Sequence, residues 1–508
     1  MSEQQRKWGR AIPAGIAALL LALPASAAND SDRIADLEAK VNRLVEEVQQ
    51  MRAEREAEKQ VAAKSQSEAA KIVEEDVHLA KDPELQENIG VLAREIERIK
   101  RAIAVPEEGE LKSVHGKGPA ASKVYTKEQG LSIGGYGEGY FNAVVADKSG
   151  NDNVAEWLRG VLYVGYKFND WIVFNSEYEF EHASTGANGS VSVEFAELDF
   201  LFDPRANVAV GLLLTPMGFI NELHEPTEYY GVSRPSPEEQ IIPSTWREIG
   251  TGLFGSFFDE TLSYKLYAMN GLDAAGFASS GYRSGRQKGR ATKANDWAVA
   301  ARLDWIPWGG LLVGGSVWSG ASGQNQTVSY DDQSDVKQST SLGNVWTTIF
   351  EVHAEYVWEG LQLRALYTQS HIGNAGQLTD ALGRCHDAIP LALNSDWQTA
   401  DYSGCIAERS RGGYISAGYN ILPWFLPNSQ MRLEPFYRFE WTETQNKMPS
   451  GVQPYSYDNF RVHTVGLQFY PHPQVVIKAD YRNVHALGRD TSNNQRPDEV
   501  QLGVGYVF

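Results

Sequence analysis

Residues 156–168 read EWLRGVLYVGYKF, and residues 172–181 read IVFNSEYEFE. In the first run, Leu158, Gly160, Leu162, Val164, Tyr166 and Phe168 share one face. Trp157, Arg159, Val161, Tyr163 and Lys167 share the other. In the second run, Ile172, Phe174, Tyr178 and Phe180 oppose Asn175, Glu177, Glu179 and Glu181. Side chains of a strand alternate between its two faces. Each run is therefore predicted to be a strand with one greasy and one polar side, and a tight turn at Asn169-Asp170 joins the two.

Outward from this hairpin the same period of two recurs to the end of the chain. It predicts strands near 131–145, 155–168, 171–184, 191–202, 208–218, 248–257, 261–270, 296–305, 311–320, 344–358, 361–371, 413–422, 429–443, 459–470, 474–486 and 498–508. Short turns near 169, 205, 259, 308, 359, 426 and 472 alternate with long loops. Even strand number, short turns at one end and long loops at the other are the signature of an outer-membrane barrel. Aromatic residues flank the short turns: Phe168 and Trp171, Phe257 and Phe258, Trp305 and Trp308, Trp358, Trp424 and Phe425, Phe469 and Tyr470. Rings repeated at one end of the strands form an interfacial girdle, which a soluble β-sandwich would not require. The last strand, with Val500, Leu502, Val504, Tyr506 and Phe508 on one face, is expected to close the barrel. The expected fold is an all-β transmembrane barrel of about 16 antiparallel strands, following an α-helical coiled-coil stalk.

The composition fits such a barrel. Of 508 residues, 22% are charged and 11% aromatic, and the formal net charge is −19. That charge argues against nucleic acid as a partner. Arg6, Lys7 and Arg10, the apolar run Ala11–Leu23, and Ala25-Ser26-Ala27 read as a signal peptide, 1–27. Within 28–105, one heptad seam runs Ile34, Leu37, Val41, Leu44, Val48, Met51. A second runs Leu85, Ile89, Leu92, Ile96, Ile99, Ile103. The first pattern favours two strands and the second three or more. The second adjoins the barrel and is given more weight, so a periplasmic stalk joining a homo-trimer is expected. A helical hairpin within one chain is the alternative. Residues 106–130 read as a linker, and 131–508 as the barrel. The two cysteines, Cys385 and Cys405, lie in one polar stretch, and an exported chain would join them in a disulfide.

Residues of about 131–508 resemble the phosphate-selective porin O and P family and its coiled-coil-bearing, dicarboxylate-type relatives. The resemblance is carried by GLLLTPMG at 211–218, WREIG at 246–250, GLFG at 252–255 and YAMNG at 267–271. A C-terminal strand ending in Phe also resembles the signal read by the barrel assembly machinery. The family resemblance implies a trimer of 16-stranded porins, each with its third loop folded into the lumen. The constriction would then carry Glu222, His224, Glu225, Glu228, Arg234, Glu238, Glu239 and Arg247. Phosphate porins use basic constrictions, and this acidic loop departs from them.

Alternation also predicts the wall. Glu177, Glu179, Glu181, Glu197 and Asp199 would line early strands, and Arg302, Arg364, Arg432, Arg438, Lys478 and Arg482 later ones. Facing walls of opposite sign would set a transverse field across a water-filled channel for small polar or charged solutes. Pairing of these charges with one another is the alternative. No catalytic constellation and no metal or cofactor motif is found, so an enzyme, such as a barrel hydrolase, is the lesser expectation. His224-Glu225 is read as a pore-lining pair. A further alternative is an anchor that tethers the outer membrane, an assembly of outer-membrane lipid and protein, to peptidoglycan through the stalk.

Overall fold

The computed structural model describes residues 111–146, 151–184, 186, 189–331, 337–383, 405–452, 454, 458–487 and 496–508. The segments expected to be a signal peptide and a coiled-coil stalk, 1–27 and 28–105, lie outside the described residues. Strands β1 (Gly130–Ala146), β2 (Val154–Asn169), β3 (Ile172–Glu181), β4 (Val191–Asp203), β5 (Ala206–Leu214) and β6 (Arg247–Phe257) open the sheet. Then come β7 (Leu262–Asn270), β8 (Trp297–Trp308) and β9 (Leu311–Ala321). A separate hairpin, β10 (Thr327–Asp331) and β11 (Lys337–Ser341), interrupts the order. The sheet resumes with β12 (Trp346–Trp358), β13 (Leu361–Ile372), β14 (Arg409–Tyr419), β15 (Arg432–Lys447), β16 (Asn459–His472), β17 (Val475–Ala486) and β18 (Asp498–Val507). All but the hairpin form one closed antiparallel barrel of 16 strands, with β1 paired to β18.

Closure follows from the backbone. Every strand of the barrel has a neighbour on both sides, so no row of N–H and C=O groups is left at its edge. The outward residues are apolar and exposed, among them Leu131, Leu162, Tyr166, Leu198, Val299, Leu303, Val352, Ile415, Val465, Ile477 and Leu502. A soluble monomer rarely exposes a contiguous apolar patch above about 600 Å², and this belt runs round the whole wall. At its short-turn end Trp171 stacks on Phe202 at 5.8 Å, and Tyr166 meets Phe168 edge-on at 4.9 Å.

Several boundaries differ from the sequence reading. Strand β5 stops at Leu214 because Pro216 has no N–H to give to the ladder, and Thr215, Pro216 and Met217 turn inward, buried. Strand β14 runs 409–419, before Leu422-Pro423, rather than 413–422. Trp157 is not on the lumen face with Arg159. A bulge sets Trp157 and Leu158 against the single residue Gly139, reversing the alternation, and Trp157 stands outside, 42% exposed. The segment expected as a linker is packed from residue 111 onward: Lys117, Ala120, Ala121, Ser122 and Val124 are buried.

Candidate functional site: the filled lumen

The third loop, 215–246, leaves the wall between β5 and β6. Its neck is tied by Asn221. That amide donates to the carbonyls of Thr215 (2.6 Å) and Trp246 (2.9 Å), and accepts from Trp246 N–H at 2.6 Å. From this neck the loop crosses to the opposite wall. Lys478 donates to the Tyr229 and Gly231 carbonyls at 3.0 and 2.8 Å, and sits 3.9 Å over the Tyr229 ring. Arg438 donates to the carbonyls of Tyr230 and Ser233 while paired with Glu440 at 2.8 Å. Val232 N–H donates to Asp480 (2.7 Å), and Ser236 N–H to Glu440 (2.6 Å). Arg364 holds the Glu228 carbonyl at 3.0 Å, pairs with Glu355 and stacks on Phe219. Arg302 reaches the Gly218 carbonyl and pairs with Asp304 at 2.7 Å. Within the loop, helix α1 (Pro237–Gln240) presents Glu238, which accepts from Phe219 N–H, Ile220 N–H and Tyr414 O–H.

The residues expected in the loop therefore do different jobs. Glu222 pairs with Lys265. His224 pairs with Glu177 of β3 at 3.1 Å, not with Glu225. Glu225 accepts from Ala120 N–H at 3.0 Å, and burial holds its carboxyl well above the usual range. Burial also raises Glu228 and Glu238, against the pull of Arg364 on the first and the Tyr414 hydroxyl on the second. Arg234 donates to the His224 carbonyl at 3.4 Å. Arg247 pairs with Glu194 at 2.7 Å, at the root of β6. Glu239 is exposed, away from this network.

The wall charges are paired as well. Arg159, between Glu138 (2.8 Å) and Glu179 (2.7 Å), bridges β1, β2 and β3. Glu197 is bound by Lys117, Asp199 by Tyr125, and Glu181 by Ser190 at 2.8 Å. Arg482 pairs with Glu499 at 2.7 Å. Arg432 alone among the expected basic wall residues keeps a side chain 44% exposed, stacked on Tyr470. Two walls of opposite charge facing each other across water is therefore not the arrangement found: the charges are spent on loop carbonyls and on each other.

The interior is filled. At mid-height, inward side chains right round the barrel, such as Tyr163, Glu177, Ala300, Glu351, Arg438 and Lys478, are each less than a tenth exposed. Two kinds of filling meet here. Against β5–β14 lies an apolar core that includes Met217, Ile242, Trp246, Trp318, Ile349 and Leu366. Trp246 packs on Trp318 at 5.2 Å. Loop residues Leu272, Phe277, Tyr282, Leu342, Leu378 and Ile406 extend this core toward the long-loop end; Leu378 belongs to helix α2 (Ala375–Ala381). Against β1–β4 and β15–β18 the filling is the third loop and residues 111–126, mostly polar, with one small apolar cluster where Ala120 and Ala121 meet Tyr136, Tyr163 and Phe195. Cys405, in the long-loop layer, is disulfide-bonded; the other cysteine, Cys385, lies outside the described residues. Lys117, Tyr125, Ser122, Lys265 and Tyr229 are all parts of the lumen that alternation did not mark, whereas Arg159 stands on the face where alternation put it, with Val161 and Tyr163. Lys265 sits on a predicted strand and was within its reach; the other four sit in irregular backbone, where period two carries no information.

An apolar belt outside, charges inside and a closed 16-strand wall define a membrane-spanning β-barrel. The chain belongs to one family with an uncharacterised protein of Aquifex aeolicus (strain VF5). The two are 33% identical over 420 residues, 81% of this chain and 87% of that one. No protein-family model matches the chain. Among solved structures, it is similar to the trimer form of the outer membrane protein OmpT of Vibrio cholerae (11% identical, 75% of this chain and 100% of that one, TM-score 0.46). It is also similar to OmpF of Salmonella typhi (13%, 75% and 98%, TM-score 0.47) and to the outer membrane channel DcaP of Acinetobacter baumannii (14%, 74% and 97%, TM-score 0.42).

Proposed function

We propose that this protein is an outer-membrane channel for small polar or charged solutes, with the third loop as its constriction. The observation that carries the reading is a closed barrel whose apolar belt faces outward while Glu177, Arg159, Arg438 and Lys478 face a loop lodged in the lumen. A barrel of 16 strands is wide enough for an aqueous passage, and charged groups around a loop of fixed shape are how such passages select. The route runs between the third loop and β1–β4, where residues 111–126 fill the gap: β15–β17 bind the loop directly through Arg438, Lys478 and Asp480, and the β5–β14 side is closed by an apolar core and by the pairs Arg302–Asp304 and Arg364–Glu355. Solutes with a carboxylate or another charged group suit a passage walled by paired charges. The dicarboxylate-type porins are the kin that best fit an acidic third loop and a heptad-patterned N-terminus, and a trimer exported by a signal peptide and assembled through its last strand goes with that reading.

The test is conductance of the purified, full-length protein in planar bilayers, with liposome swelling by sugars, amino acids, phosphate and dicarboxylates. Discrete steps and swelling graded by solute are expected. A correctly folded protein that passes no current under any voltage, pH or salt condition ends the proposal.

A further inference from the structure

A channel whose mid-height side chains are all covered has to move something to conduct, and one segment is built to move. We propose that residues 111–126 are a stopper, seated in the lumen from the short-turn end, and that the channel conducts when the stopper leaves. This rests on the channel reading above.

Three features carry the inference. First, the segment is a preformed knob. The Ser122 hydroxyl accepts from Val114 N–H at 2.9 Å and lies within bonding distance of the Val114, Lys117 and Gly118 carbonyls, at 3.4, 3.2 and 2.9 Å. One buried side chain therefore ties the two arms of the knob together, so it can travel without unravelling.

Second, its seat matches it in charge and in shape. Residues 111–129 carry Lys112, Lys117, Lys123 and Lys127 against one acid, Glu128. They face the acidic wall of β3 and β4. Lys117 pairs with Glu197, 5.0 Å from the Phe195 ring, and Tyr125 donates to Asp199. Asn175 donates to the Ala121 carbonyl at 2.9 Å. Burial alone would lower the Lys117 ammonium, yet Glu197 and Asp199 outweigh it and hold the group above its ordinary value. The apolar points Ala120 and Ala121 pack with Tyr136, Tyr163, Phe195 and Leu214. The knob also touches the constriction directly, through Ala120 N–H and Glu225.

Third, the connection to the wall is narrow and exposed. Residues 126–129 are exposed, and Gly130, where β1 begins, has φ +96° with open space where a Cβ would stand. A left-handed glycine at the junction of a rigid knob and a rigid strand is a place where backbone can swing. The knob therefore has a seat and a hinge, and it lies on the polar side of the lumen where the passage runs.

The test is single-channel recording of the full chain with two variants. Val124→Cys/Gly165→Cys locks the knob to β2: a Cβ at Gly165 would lie 2.7 Å from the Val124 Cβ, and the two backbones need part by only about 1 Å to reach the about 3.8 Å at which bridged cysteines hold their Cβ atoms. Lys117→Glu places a like charge against Glu197 and Asp199. The oxidised lock is expected to be silent and to conduct like wild type after reductant; wild type given the same reductant controls for the native disulfide at Cys405. Lys117→Glu is expected to raise the open fraction at least about tenfold, since breaking one partner of a buried pair is strongly unfavourable to the seated state. Heat-modifiable gel mobility shows that each barrel has folded. An oxidised lock that conducts as freely as wild type overturns the stopper and leaves the channel standing. Folded wild type and Lys117→Glu that both stay silent under every condition take the channel reading as well.

Discussion

At the residue scale, Asn221 and His115 make opposite kinds of bond with the lumen. Asn221 uses both ends of its amide to close the loop neck in a dry site. Asn221→Ala would leave the buried Trp246 N–H without its partner, while the Trp246 and Thr215 carbonyls keep the N–H groups of Thr215 and Met217. An unmet buried polar group costs about 1–3 kcal/mol, so a loss of that order is expected in urea unfolding from vesicles. An unchanged midpoint would show that water enters the neck. His115 sits between the rings of Tyr125 (5.0 Å) and Phe254 (5.1 Å). Burial, then Lys265 and Lys117, lowers its pKa to about 4. Facing it are Tyr125 and Lys117 of its own segment and Lys265 of β7, with Glu222, Glu197 and Asp199 behind them. The seated knob thus binds fewer protons at His115 than a released knob, whose imidazole titrates near 6.5. Seating is favoured above pH ~6.5 and weakens as pH falls toward 4. Glu225 acts the other way, because its carboxyl is raised in the seated state. In a Glu225→Gln background, acidification from pH 7 to 4.5 should therefore increase the open fraction. Adding His115→Gln should remove that increase; if the increase persists, His115 is not its source.

At the scale of elements, the strands were largely legible and the fillings were not. Alternation placed Glu177, Glu179, Arg438 and Lys478 on the inner face because a charge facing lipid is unfavourable, and a two-residue period has only two faces to choose between. It failed at Trp157, where one extra residue in a bulge flips every side chain beyond it. It could not say what the inner face touches. Arg438 and Lys478 were expected to face water and instead hold the carbonyls of Tyr229, Tyr230, Gly231 and Ser233. Which carbonyl a lysine meets across the lumen depends on loop geometry, and nothing in the spacing of residues encodes it. The function of the two cations follows from the contact. Arg438→Ala and Lys478→Ala should loosen the loop tip, giving larger and noisier conductance steps, with a bigger change in the double variant. Steps of unchanged size and noise would mean that the remaining ties, through Asp480, Glu440, Arg364, Arg302 and Glu238, suffice to hold the loop. Residues 111–126 were unreadable for a related reason: Pro, Gly, Ser and Lys without periodicity describe a free linker and a seated knob equally well. What separates them is Ser122, whose bonds exist only in three dimensions.

At the scale of the whole molecule, the barrel inverts the usual order of a soluble protein, yet it still contains a dry core. The outward belt and the inward core of Met217, Ile242, Trp246 and Trp318 are both apolar, and only the solvent they meet distinguishes them. The belt carries the membrane assignment, so it can be tested by depth. Val352 lies outward between Glu351 and His353, in the middle of β12, while Trp358 ends the same strand at the short-turn girdle. An arginine on the lipid face costs about 2–4 kcal/mol at the bilayer midplane and about 0–1 near the interface. Val352→Arg should therefore reduce stability in vesicles by that larger amount, and Trp358→Arg by the smaller, beyond what the lost ring contacts account for. In detergent micelles, which deform around a charge, the gap between the two variants should shrink. Equal penalties in bilayers would mean that the belt does not sit in hydrocarbon with its girdle at the interface. The outward rows of Leu, Val and Ile would then need a protein partner instead of lipid to cover them.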